Sequence, residues 1–179
     1  MMKPPETLET ERLYLRKPVM VDATPIFEQY AQDRDVTRFL TWKPHSSLED
    51  TKKFLQRCIR VWKEGTSFPW AIIRKSDNQL IGMIEIVSMD FSGALVGFVL
   101  AKPYWGKGYM KEALQKIIQW CLTQEYLFRV WAFCDVDNKA SARVMKKAGM
   151  KKEGILRRWI TLPQIDNNPR DCYCYAVVK

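Results

Sequence analysis

Gly97-Phe98-Val99-Leu100-Ala101-Lys102-Pro103-Tyr104-Trp105-Gly106-Lys107-Gly108-Tyr109-Met110 is the stretch that decides the fold. It begins as an apolar run and ends in a turn punctuated by glycines. Behind the turn, Met110, Leu114, Ile117, Ile118 and Cys121 recur at helical spacing. The change of period predicts a strand over 94–100 and a long helix from about Lys107 to Glu125. Arg129–Cys134 reads as the next strand. Strand, helix, strand is a crossover, which sets 94–100 and 129–134 side by side and parallel.

Upstream, Phe68–Arg74, Leu80–Val87 and Ala94–Leu100 are strands joined by short polar turns at Ser76–Gln79 and Asp90–Gly93. Connections that short predict an antiparallel meander. Arg12–Arg16 alternates as a further strand, and Asp22 is placed to cap a helix running to about Ala31. Ser46-Ser47-Leu48-Glu49 has the spacing of a capping box ahead of Leu48, Leu55, Cys58, Ile59 and Trp62, with Gly65 ending that helix. Downstream come a helix over about Lys139–Ala148, Gly149 at its cap, and strands near Ile155–Ile160 and Cys172–Val178. The expected fold class is a mixed α/β sheet, mostly antiparallel, flanked by helices and forming one domain over residues 1–179.

Composition narrows the function classes. At 47% hydrophobic the chain is neither disordered nor fibrous, and no apolar run reaches the about 18 residues of a membrane span. The polar, acidic start from Met1 to Glu11 has no signal-peptide core, so a soluble cytoplasmic protein is expected. The cysteines (58, 121, 134, 172 and 174) are odd in number, and His45 is the one histidine. Neither a disulfide framework nor a metal site is expected from them; they read as small apolar fillers. The net charge of +9 points to an acidic partner: a phosphate-bearing cofactor, an acidic protein or nucleic acid. Much of it lies in Arg143, Lys146, Lys147, Lys151, Lys152, Arg157 and Arg158, with Glu153 the one acid among them.

Gly106 and Gly108 let successive N–H groups converge on one concavity, to which the first turn of the helix adds unpaired donors and the positive end of its dipole. A pyrophosphate suits such a site, and Lys107 brings a cation. The run is not a dinucleotide fingerprint, because Lys111 stands where the third glycine would be. It also lacks the Gly-Lys-Ser/Thr ending of a triphosphate loop.

Gly97–Leu100 followed by Trp105–Met110 and Glu112-Ala113 resembles the cofactor motif of the GNAT N-acetyltransferases, in particular the Rim-type ribosomal-protein N-terminal acetyltransferases. Asn138–Ser141, Val144 and Lys147–Met150 resemble the family's second motif, and Glu9-Thr10-Glu11-Arg12-Leu13 its opening. The resemblance covers nearly the whole chain. It implies a parallel strand pair that splays apart, with acetyl-CoA as cosubstrate. The pantetheine would lie along Phe98, Val99 and Leu100, and the pyrophosphate on the N–H groups of Gly106, Lys107, Gly108, Tyr109 and Met110. Asn138 and Ser141 would reach the thioester end, and Arg143 the 3′-phosphate. Trp105 and Met110 depart from the residues common at their positions, but the site needs only backbone donors there.

The resemblance also implies direct attack of the amine on the thioester. Many family members protonate the departing thiolate with a tyrosine where this chain has Met145, which leaves Ser141 as the nearest hydroxyl. Glu85, alone in the apolar run Ile84-Glu85-Ile86, is the candidate base, with His45 an alternative. The leading acceptor is a protein N-terminal α-amine. A polyamine, an aminoglycoside or another small amine is the alternative, disfavoured by the lack of an acidic cluster. A lapsed ribosome- or RNA-binding module is the third reading, but the basic run from Arg143 to Arg158 contains no aromatic residue to stack on bases. Nucleic acid is therefore not expected as a direct substrate, and the protein should be a monomer or homodimer.

Overall fold

The computed structural model describes residues 3–90 and 93–179. Eight strands form one sheet in the order β1-β2-β3-β4-β5-β6-β8-β7. They are β1 (Thr7–Glu9), β2 (Leu13–Arg16), β3 (Phe68–Arg74), β4 (Gln79–Met89), β5 (Ala94–Leu100), β6 (Arg129–Asp135), β7 (Lys151–Leu162) and β8 (Asp166–Val178). All neighbours are antiparallel except β5 and β6, the pair predicted to be parallel. Part of the expected turn 90–93, Phe91 and Ser92, lies outside the described residues.

The helices are α1 (Ala23–Ile26), α2 (Arg34–Thr37), α3 (Leu48–Glu64), α4 (Tyr109–Thr123) and α5 (Lys139–Lys147). Met110, Leu114, Ile117, Ile118 and Cys121 of α4 are all buried, as their spacing requires. From α3, Leu55, Cys58 and Trp62 are buried, and the Trp62 ring meets Phe68 and Trp70 edge-on at 5.4 and 5.0 Å. Each large apolar side chain removed from water in this way contributes about 1.5–3 kcal/mol.

Two local expectations are corrected. The capping box of α3 is Ser47 with Asp50, one residue later than Ser46–Glu49. Asp50 Oδ2 accepts from the Ser46 and Ser47 N–H groups, and Ser47 Oγ accepts from Asp50 N. Asp22 stands at the N-cap of a helical run that reaches Ala31 as expected, but its side chain does not cap it: the carboxylate takes both Nη groups of Arg16, at 2.8 and 2.6 Å, and the Val19 N–H. The run changes pitch on the way, from α1 to a π-helical stretch (Phe27–Ala31), and a 3-10 turn (Met20–Asp22) leads into it. The tail strands run longer than predicted because β7 and β8 pair as one extended hairpin, in which each strand lends the other order at residues of little intrinsic signal. Among the described residues no helix is long and apolar enough to cross a membrane.

Candidate active site

Among the described residues β5 and β6 are laddered only at Ala94↔Val130 and Leu95↔Trp131, whereas β6 stays paired to β8 from Arg129 to Asp135. Beyond Leu95 the two parallel strands part, and the edge of β5 from Val96 to Leu100 faces a gap. A cavity of about 570 Å³ opens there. Phe98, Val99, Leu100, Gly106, Gly108, Tyr109, Met110, Asn138, Ser141 and Arg143 all line it, so residues far apart in sequence converge on one cavity. Lys107 does not line it: its ammonium lies over the Tyr104 ring, 5.9 Å from the centroid.

Gly106 and Gly108 sit at φ 76° and 83°, a left-handed backbone that costs other residues about 1–2 kcal/mol each. Gly108 is the N-cap of α4 and no side chain caps that end, so the first N–H groups of the helix keep their capacity for a ligand. Trp105 is fixed by its indole N–H, which donates to the Leu100 carbonyl at 2.6 Å. Arg38, Lys111, Arg143 and Lys147 also line the cavity; its one acid, Asp35, is paired with Lys102. Unengaged backbone donors at the glycine turn, four cations in the lining and the apolar residues of β5 fit a long molecule with a polyanionic head and an uncharged tail.

A second cavity of about 320 Å³ adjoins the first, and Phe39, Leu40, Phe98, Val99, Asn138 and Ser141 border both. Its wall is largely apolar and aromatic (Trp42, Phe54, Met83, Ile84, Phe133, Leu162) and its charged groups are Arg57, Glu85 and Asp135. Asp135 is already committed. Burial pushes its carboxyl up, but bonds from Arg170 Nε at 2.6 Å, from Arg170 Nη2 and from Asp137 N hold it below the ordinary value. Glu85 is half-buried beside the bulge in β4 and takes the Ser67 hydroxyl on Oε1. Arg57 has no ion-pair partner among the described residues.

At the junction, Asn138 caps α5 by accepting the Ser141 N–H on Oδ1 at 3.0 Å. The Ser141 hydroxyl has no protein partner among the described residues. Met145, where a tyrosine is common in the family resembled, is fully buried and borders neither cavity. His45 borders neither as well. It bonds Thr51 Oγ1 through Nδ1 at 2.8 Å behind Trp42 and Phe54, and burial lowers its pKa despite Asp50. Cys134 borders the second cavity, but burial pushes its thiol up to about 12, so it is no thiolate nucleophile. All five cysteines are free and buried. Among the described residues no cluster of three or more His, Cys, Asp or Glu is placed to hold a metal.

The loop after α2 carries Phe39, Leu40, Thr41 and Trp42 against these cavities. It is held from the β7–β8 turn: Gln164 Nε2 donates to the carbonyls of Thr37, at 2.6 Å, and Trp42. Sequence reasoning did not single out Gln164, this loop or Arg57. A polar residue in a polar turn carries no local mark of a contact more than 120 residues away in the chain.

A family model described as "Acetyltransferase (GNAT) domain" matches residues 12–151. The chain is 32% identical over 176 residues to the uncharacterized N-acetyltransferase p20 of Bacillus licheniformis, covering 97% of each. It is 25% identical to the [ribosomal protein uS5]-alanine N-acetyltransferase of Escherichia coli, over 94% of this chain and 88% of that one. The crystal structure of the microcin C7 self-immunity acetyltransferase MccE, in complex with acetyl-CoA and AMP, superposes with a TM-score of 0.88 at 20% identity, over 98% of both chains. With a parted β5–β6 pair, an uncapped glycine turn in front of α4 and a family match across most of its length, the chain belongs to the GNAT acetyltransferases and is an N-acetyltransferase.

Proposed function

We propose that this enzyme transfers the acetyl group of acetyl-CoA directly to the α-amine of a protein N-terminus, with the whole chain acting as one cytoplasmic catalytic domain. The observation that carries the reading is the meeting of two cavities at Ser141 and Asn138, where β5 and β6 part. The larger suits a polyanionic donor. The smaller offers an amine one carboxylate without an ion-pair partner among the described residues, Glu85, in apolar walls, which suits a single amine better than a polycation. The E. coli relative, named for a ribosomal-protein alanine, supports the same acceptor class.

In this reading Phe98, Val99 and Leu100 hold the pantetheine arm, and the Gly106–Met110 N–H groups hold the diphosphate. Arg143 takes the terminal phosphate, and Asn138 orients the thioester. Glu85 accepts the proton the amine gives up as its nitrogen bonds the acetyl carbon. The C–S bond breaks and Ser141 gives its proton to the departing sulfur, regaining one from solvent. The test is a thiol-release assay with acetyl-CoA against N-terminal peptides, polyamines and aminoglycosides. Turnover confined to peptides, abolished by Nα-blocking, is the expected result. Preference for a polyamine or aminoglycoside would replace the acceptor assignment, and CoA binding without turnover of any amine would favour a lapsed binding module.

A further inference from the structure

Two fragments of the family motifs, the opening at Thr10 and Arg12 and the glutamate at position 112, border neither cavity. They bond to each other. Glu112, in the first turn of α4, accepts from Thr10 Oγ1 and Arg12 N on Oε1, and from Arg12 Nε on Oε2 at 2.7 Å. The same guanidinium reaches on into the glycine turn. Arg12 Nη1 donates to the Lys107 carbonyl at 3.1 Å, and the group lies over the Tyr109 ring, 4.5 Å from its centroid. A Cβ built on Gly108 would come within 3.4 Å of Arg12 Nη2. One side chain thus touches the turn on both sides of Gly108 and also the helix behind it.

We infer that Arg12 is a positioning residue for the donor's diphosphate: it braces the 107–109 turn and cancels the charge of Glu112, an acid standing in the first turn of an anion-binding helix. The inference rests on the donor site proposed above. A carboxylate at that place is helpful to an unliganded helix, because it offsets the dipole, but it opposes an incoming polyanion. Glu112 is spared that conflict only while Arg12 and Thr10 saturate it. A residue that merely added positive charge to the site would act independently of Glu112. A residue that neutralises Glu112 must show coupling to it.

The experiment is a CoA titration by calorimetry on wild type, Arg12→Gln, Glu112→Gln and the double variant, with melting temperatures measured alongside. Arg12→Gln is expected to weaken CoA binding by about tenfold, the scale of one unpaired charge near a bound anion. Removing Glu112 as well should recover most of that loss, and at saturating acetyl-CoA the acceptor KM should stay unchanged. Arg12→Lys keeps the charge but not the fork of donors, and covers the case in which the glutamine variant does not fold. It should bind CoA more weakly than wild type, by less than Arg12→Gln. Wild-type CoA affinity in Arg12→Gln or Arg12→Lys, or a double variant no better than the single, would overturn the inference. Lower melting temperature with unaltered CoA affinity would reduce Arg12 to a structural brace. Failure of the wild type itself to bind CoA would sink the donor-site reading, and this inference with it.

Discussion

Ser141 has its N–H committed to Asn138 and its hydroxyl free of protein partners among the described residues, at the boundary of the two cavities. A partly exposed hydroxyl without a protein acceptor is open to a ligand at the cavity boundary or to water. If it delivers the proton to sulfur, Ser141→Ala should cut kcat by about 10²-fold or more, the range of general acid catalysis, and leave CoA affinity nearly unchanged. An equal loss in CoA affinity and kcat/KM would make it a binding group instead. At this scale the sequence was informative wherever a residue broke the pattern around it. Glu85 is a lone charge in an apolar strand, and Gly106 and Gly108 adjoin a helix start. Gln164 breaks no pattern in its turn.

Helix and strand existence followed from periodicity, which survives folding because one face must be buried. Helix ends followed less well, since a cap is chosen by side-chain reach. Both Ser46 and Ser47 precede an acid three residues on, and only the structure shows that Asp50, not Glu49, closes the box. The loop between α2 and α3 has neither period nor cap, so its course over both cavities was invisible, and so was its tether. Gln164 holds the Thr37 carbonyl, at the end of α2, and the Trp42 carbonyl, midway along that loop, while its own Oε1 is buried without a partner, so the side chain is costly and kept by its two donors. Gln164→Met preserves length and removes the donors, leaving the Thr37 and Trp42 carbonyls to find water. The expected result is an acceptor KM raised several-fold, because Thr41 and Trp42 line only the smaller cavity. Stability should fall by about 1–3 kcal/mol at most, the cost of unmet buried groups offset by the lost Oε1. Steady-state kinetics with each substrate varied in turn separates the two sites; a rise confined to the acetyl-CoA KM would refute the assignment of this loop to the acceptor.

At the scale of the whole molecule, the sheet is split where it works, and the strand on the far side of the split has to be held by its other neighbour. Beyond Leu95 nothing of β6 ladders to β5, so β6 keeps its place there through its full ladder to β8. At the open end of the split, Arg170 on β8 spans to Asp135 on β6 and Asp137 beyond it, at 2.6 and 2.7 Å. Asp135 is only 3% exposed, so its charge is tolerable only because Arg170 is there. The folded-state pKa of Asp135 lies below its ordinary value of 3.8, burial notwithstanding. A depressed carboxylate contributes stability that is fully present above the unfolded value and is lost as pH falls through the folded one. The wild type should therefore shed this contribution only below about pH 4. Arg170→Met reverses the sign: it leaves a buried carboxylate uncompensated, which disfavours the ionised form, so the variant is penalised as pH rises. Near neutral pH the loss should be about 3–5 kcal/mol, the cost of breaking a buried pair from one side. Denaturant melts of wild type and Arg170→Met from pH 7 to pH 4 should show the gap closing on acidification, and Asp135→Asn in the Arg170→Met background should close it at neutral pH. A gap constant with pH would mean that Arg170 contributes packing rather than charge to the lock.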